Sequence, residues 1–340
     1  MRILNIILLI LILQNSVFAQ DPVFSQYYNS PVYLNPALVG DEDNMTINMT
    51  YRSQWNSLNF PYKTAQISAI IPYYESVHTK PEGHKGGIGI SLFNDISGAY
   101  DNFKTTGGNI SLSYNLPLDE RYSHQVNFGL QAGLINKRVD TENLQWGEQY
   151  QRFIGFNQSI TPAEISQFEA KTFFDFTPGV FYRYTNRKGL GAIRTAFSGI
   201  TVAHLNHPDE SVLANSADRL PLIYKYHGGM VFSLGGRASF SANLLTLVQD
   251  RENQTNVGGF LNYEIMNPSI MTNAIVRVGS WYRRNDAFIL STEFLTNKYH
   301  FAFSYDWNVS SLRYQNRGTG AYEFTFGLRF YDDRPPKVRY

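Results

Sequence analysis

The 340-residue chain contains no cysteine. That absence excludes disulfides, cysteine nucleophiles, thiolate metal sites and an acylated N-terminal cysteine. Charge is scarce: Asp, Glu, Lys and Arg make up 17%, against roughly 25% in soluble domains. The 29 basic and 28 acidic residues leave a net charge of +1, which gives no sign of nucleic-acid binding. Beyond the first residues no stretch approaches the ~20 consecutive apolar residues that a membrane-spanning helix needs. Nucleophile-elbow, zincin, dinucleotide and phosphate-loop motifs are all missing, so neither catalytic residues nor a cofactor or metal is expected. What the chain has in plenty is aromatic side chains, 15% of all residues, with 23 Tyr and 24 Phe.

Residues 1–19 read as a secretory signal peptide. Arg2 gives a positive start, residues 3–13 are apolar except for Asn5, and Val17-Phe18-Ala19 ends on a small residue at the cleavage point. The run is too short and wrongly flanked for a spanning helix.

Near the C-terminus the sequence alternates with a period of two. Phe301, Phe303, Tyr305 and Trp307 fall on one face, with His300, Ala302, Ser304 and Asp306 on the other; Tyr322, Phe324, Phe326, Leu328 and Phe330 likewise oppose Glu323, Thr325, Gly327 and Arg329. This is the pattern of a β-strand with unlike faces. An aromatic face opposed to a charged and small polar one reads as lipid outside and lumen inside. A mean hydropathy of -0.29 does not argue against this, because half of every barrel strand is polar. The same alternation recurs at 45–55, 63–71, 87–94, within 103–116, at 124–138, 174–184, 193–205, 223–234, 238–247, 256–265, 274–283 and 288–295. The prediction is an all-β transmembrane outer-membrane barrel of about 14 antiparallel strands.

The expected organisation is a signal peptide (1–19), an irregular segment packed on or in the barrel (20–43), the barrel (44–331) and a tail (332–340). Pro22, Pro31 and Pro36 keep the second segment from being a strand, and Phe24, Tyr27, Tyr28 and Tyr33 within it need burial. Glycines recur on inward faces, at Gly107, Gly129, Gly133, Gly179, Gly279 and Gly327. They either weaken the sheet or make room for a plug, and the sequence leaves both readings open. The longer connections are 73–85, 140–171 and 206–220, and 163–170 reads as a brief helix begun by Thr161-Pro162. His204 and His207 show no third metal ligand, and a polar rim suffices for them. His124 beside Ser123 does not make a triad. Arg52, Arg183, Arg277, Arg283, Arg329, Glu293, Asp306 and Glu323 all fall on inward faces, where they either stiffen the wall or hold a plug.

Asp21-Pro22-Val23-Phe24-Ser25-Gln26-Tyr27-Tyr28, followed by Leu34-Asn35-Pro36-Ala37 and Gly40, resembles the opening signature of the PorP/SprF family of type IX secretion. Further similarities follow in order: Arg52-Ser53-Gln54-Trp55, Asn94-Asp95 with Gly98, Gly199 to Leu205, Trp281-Tyr282-Arg283, Tyr305-Asp306, and Gly320 with Glu323. Ala321, Tyr322 and Phe324 depart from the family pattern. The resemblance implies an outer-membrane barrel that supports secretion or surface anchoring of partner proteins, such as cell-surface adhesins with type B C-terminal domains. It also implies links to periplasmic envelope components and gliding machinery. By the same resemblance Phe24, Ser25, Gln26, Tyr27, Leu34, Asn35, Pro36, Arg52, Trp55, Asn94, Asp95, Tyr305, Asp306 and Glu323 are structural or partner-binding positions. Trp146, Tyr150, Phe153 and Phe156 in the longest loop are candidate contact anchors, because aromatics dominate interface energetics. A porin or a transporter of small hydrophobic compounds is the alternative reading, and outer-membrane lipid is the surroundings in either case.

Overall fold

The structure is a computed structural model that describes residues 23–330 except 42, 59, 75–83, 190, 251, 268–270, 312 and 317. The expected signal peptide and the expected tail lie outside the described residues. Fourteen strands form one closed antiparallel barrel: β1 Met45–Gln54, β2 Tyr62–Tyr73, β3 Gly86–Ser97, β4 Phe103–Pro117, β5 His124–Val139, β6 Lys171–Thr185, β7 Ile193–Ala203, β8 Ile223–Gly235, β9 Ala238–Gln249, β10 Glu252–Asn267, β11 Met271–Arg283, β12 Ala287–Thr296, β13 Tyr299–Asn308 and β14 Thr319–Phe330. Each strand pairs with its neighbours in sequence, and β14 closes the wall on β1, with Met49 opposite Phe326 and Arg52 opposite Glu323. The predicted closed barrel and its strand number are those observed.

The alternation read from the sequence is the alternation of the wall. Leu92, Leu130, Phe174 and Val278 point outward and are exposed, while Thr50, Ser91, Asn127, Thr177 and Ser304 point inward and are buried. The outward apolar faces do not pack on one another across a second sheet; they form one continuous belt. On β4 the outward row below Lys104 runs from Thr106 to Leu116. Ten steps of ~3.3 Å at a tilt of ~40° make it about 25 Å tall, the height of the apolar band of an outer-membrane barrel. Among the described residues no helix is long and apolar enough to cross a membrane; the strands do the crossing.

Because strand direction alternates, the ends of the barrel are unlike. β1 begins and β14 ends at one end, and the connections 140–170 and 204–222 both lie at the other. Longer loops face outward and short turns face the periplasm, so the chain enters and leaves the wall on the periplasmic side. The connection between β2 and β3, grouped by length with the outer loops, joins its strands at the periplasmic end instead. The predicted helix at 163–170 is a 3-10 turn at Ala163–Gln167.

Candidate functional site

The lumen is filled by residues 23–41. Local sequence explains their shape. Pro31 starts a single helical turn at Pro31–Leu34, and Pro36 starts a 3-10 turn at Pro36–Gly40. Between them Asn35 is extended and caps the second turn, its Oδ1 accepting from the Ala37 N–H at 2.9 Å. The amide of the same side chain donates to the Val180 carbonyl at 3.0 Å and lies 3.1 Å from His227 Nε2. The turn Pro36–Gly40 lies on inward glycines. A Cβ on Gly129 would fall on the backbone of Pro36 and Ala37, and one on Gly179 would fall on Asn35. The inward glycines of β5 and β6 therefore form the groove that receives this turn.

From there the segment climbs away from the periplasmic end. Tyr28 stacks on Trp281 (centroids 5.1 Å apart) and meets Phe260 edge-on. Leu34, Ala37 and Leu38 join Phe181, Phe197, Leu245 and Ile289 in the main apolar cluster. Gln131 donates to the Val32 carbonyl at 3.0 Å, and Lys225 donates to the Tyr33 carbonyl at 2.9 Å. At the lower end Asp41 pairs with Arg183.

The upper end is an ionic clamp. Glu323 accepts from the backbone N–H groups of both Ser25 (2.8 Å) and Gln26 (3.0 Å). The Ser25 hydroxyl donates to Asp306 at 2.7 Å and accepts from Arg52 and Arg283. Arg52 bridges Asp306 (3.0 Å) and Glu323 (3.2 Å), and Arg283 pairs with Asp306 and Asp286. Arg52, Arg283, Asp306 and Glu323 are all buried. Two cations and two carboxylates balance there, which is what makes their burial tolerable. A second set stands beside it: Glu293 accepts from Asn29 (2.8 Å) and Arg277 (2.8 Å). Asp306 lies two residues from the outer end of β13, and Arg52 two residues from the outer end of β1. The segment thus spans the lumen from one mouth almost to the other.

The structure brings Ser25, Gln26, Arg52, Asp306 and Glu323 together, with Asn35 and Pro36 at the lower glycine groove. Phe24 packs edge-on against Tyr33, and Tyr27 against Tyr28; Leu34 is in the core. Four motif positions stand apart. Trp55 follows β1 and packs on Tyr62, Asn94 bonds Thr106, Asp95 bonds Thr64, and Tyr305 packs on Trp307 on the outward side. Asn29, Lys225 and Gln131 were not singled out in the sequence. The period-two pattern does put Gln131 inward, but nothing local marks it as a contact of residue 32.

The outer mouth is narrowed by the connection 204–222. Its Leu220 packs on Ile135 and Phe173, Glu210 pairs with Lys137, and His204 pairs with Asp175 at 2.9 Å. Among the described residues no three His, Cys, Asp or Glu converge as a metal site. In this loop the Lys171 ammonium and the N–H groups of Asp218 and Ser211 hold the Asp209 carboxyl at about 2. A depressed carboxyl stabilises the fold above its unfolded value and ceases to as pH falls through the folded one. Hydrogen exchange should therefore find the Ser211 and Asp218 amides protected near pH 5 and released toward pH 2, a change that Asp209→Asn abolishes.

The loop 140–170 is tied to the same connection, with Glu169 donating to the Val212 carbonyl at 2.9 Å. Trp146 is half-buried on Phe168. A small hairpin pairs Tyr150 with Phe156 and carries Phe153 at its tip, 95% exposed.

A family model described as type IX secretion system membrane protein PorP/SprF matches residues 16–328. No curated protein matches the chain. Similar solved structures include the CymD monoaromatic hydrocarbon channel, at 11% identity and a TM-score of 0.48 over 90% of this chain and 94% of that one. A Pseudomonas aeruginosa FadL homologue aligns at 10% identity and a TM-score of 0.40, over 93% and 94%. The β-domain of the Bordetella autotransporter BrkA aligns at 10% and 0.40, over 84% and 98%.

Proposed function

Since the chain belongs to the PorP/SprF family of type IX secretion system membrane proteins, we propose that it is a plugged outer-membrane platform that retains an exported surface protein. Family and fold are of a non-enzymatic kind. The partner in this reading is an adhesin-type protein with a type B C-terminal domain, and periplasmic type IX components meet the opposite face. The chain takes up its place after residues 1–19 are removed.

The observation that carries the reading is the lumen itself. Residues 23–41 occupy it and are clamped at Arg52, Asp306 and Glu323. A sealed barrel has its outer loops, not its interior, to offer. Tyr150, Phe153 and Phe156 supply large apolar contact area on those loops, with Trp146 fixing the loop base. Aromatic anchors of this kind concentrate binding energy.

Deleting residues 143–167 should leave a folded, heat-modifiable barrel that no longer holds its partner at the cell surface. Unchanged surface display of the partner in that deletion ends the platform reading. A wild-type barrel that conducts small solutes in planar bilayers favours the channel alternative instead.

A further inference from the structure

One sector of the lipid-facing wall differs from the rest. At the outer edge of the belt Lys63, Ile96, Lys104 and Arg138 stand side by side in register on β2 to β5. All point outward, because their neighbours Thr64, Thr105 and Lys137 are buried inward. Lys63 pairs with Asp101 at 2.9 Å and Lys104 with Asp140 at 3.6 Å. Arg138 is exposed and meets no carboxylate among the described residues. Three cations against two carboxylates leave the row positive. The same level on β1, β14 and β13 carries the neutral Ser53, Tyr322 and Tyr305 instead, the two tyrosines being of the kind that forms the aromatic girdle of a barrel.

Two residues deeper the outward positions are Asn94, Thr106, Asn136 and Thr172, joined in pairs by hydrogen bonds of 2.8 Å. Neutral hydrogen-bonding groups on a lipid-facing wall need polar company. Asn94 and Thr106 form one end of an open groove of about 960 Å³, whose walls are Leu92, Ile67, Met49 and the rings of Phe303 and Phe324. The residues between these two outward rows, Thr50, Gln66 and Thr325, point inward and are buried. The groove therefore opens outward, with strand backbone as its floor.

We propose that this sector binds a phosphorylated lipid of the outer leaflet, with an acyl chain in the groove and its phosphate on Lys104 and Arg138. The amide and hydroxyl row holds the polar linkage between them. Charge complementarity, the polar step and the apolar groove follow one another in the order that such a lipid presents its parts.

The test uses the full barrel in nanodiscs of neutral phosphatidylcholine, with bisphosphorylated or dephosphorylated lipid A added and bound lipid counted by native mass spectrometry. The wild type should favour the phosphorylated form about ten-fold, on the scale of one or two cations at a membrane surface. The double variant Lys104→Gln/Arg138→Gln should bind both forms equally. Leu92→Trp, which fills the groove, should weaken both while heat-modifiability reports an intact fold. A wild type without preference, or a preference that survives the double variant, overturns the proposal.

Discussion

Replacing Glu323 with alanine should destabilise the barrel by about 3–5 kcal/mol and release the start of the chain from the lumen. The carboxylate does three things at once. It receives the backbone N–H groups of Ser25 and Gln26, and it balances Arg52. Alanine removes all three, leaves two buried donors unmet and shifts the clamp to a surplus of positive charge. Glu323→Gln keeps an acceptor oxygen without the charge, so it should fall between alanine and wild type. Chemical unfolding in detergent gives the stability difference. Limited proteolysis gives the location: cleavage within residues 23–41 should rise before any cleavage of the wall. Equal stability of the alanine variant and the wild type would mean that the clamp contributes nothing to holding the segment.

The second large effect is expected from a residue with no side chain. Gly129→Val places a branched Cβ where the backbone of Pro36 and Ala37 now runs. Neither the wall nor that turn can yield cheaply, since both are backbone, so the turn must leave its groove. Planar-bilayer recordings should show a silent wild-type barrel and stepwise conductance from Gly129→Val. Gly133→Val is the control. Its Cβ would meet the Asn109 side chain, which can swing aside, so this barrel should stay silent. Silence from both variants would mean that something other than residues 36–40 closes the lumen.

The wall was legible in the sequence because each strand has faces of unlike chemistry, so that Phe324 and Glu323 declare their sides without any tertiary information. Closure and strand number followed from repetition of that signal. The clamp was legible only in its parts. Arg52, Asp306 and Glu323 were each marked as inward charges, but their convergence on Ser25 depends on register and barrel closure, which bring Asp306 and Glu323 to it across 281 and 298 residues of chain. No local pattern encodes such a meeting. The same alternation splits motifs: in Tyr305-Asp306 the aspartate joins the clamp and the tyrosine faces lipid. The inward glycines were ambiguous for a related reason. A missing side chain shows that something approaches, not what; the turn at Pro36–Gly40 had to be seen lying against Gly129 and Gly179.

The last strand of the barrel in chain order carries part of the socket for the segment that fills the lumen. β14 supplies Glu323 to Ser25 and Gln26 and, through its pairing with β1, the final seam of the wall. One strand thus serves both the sealing of the cylinder and the docking of its stopper. A product cut short before residue 319 therefore lacks both the seam and the carboxylate that receives the Ser25 and Gln26 N–H groups.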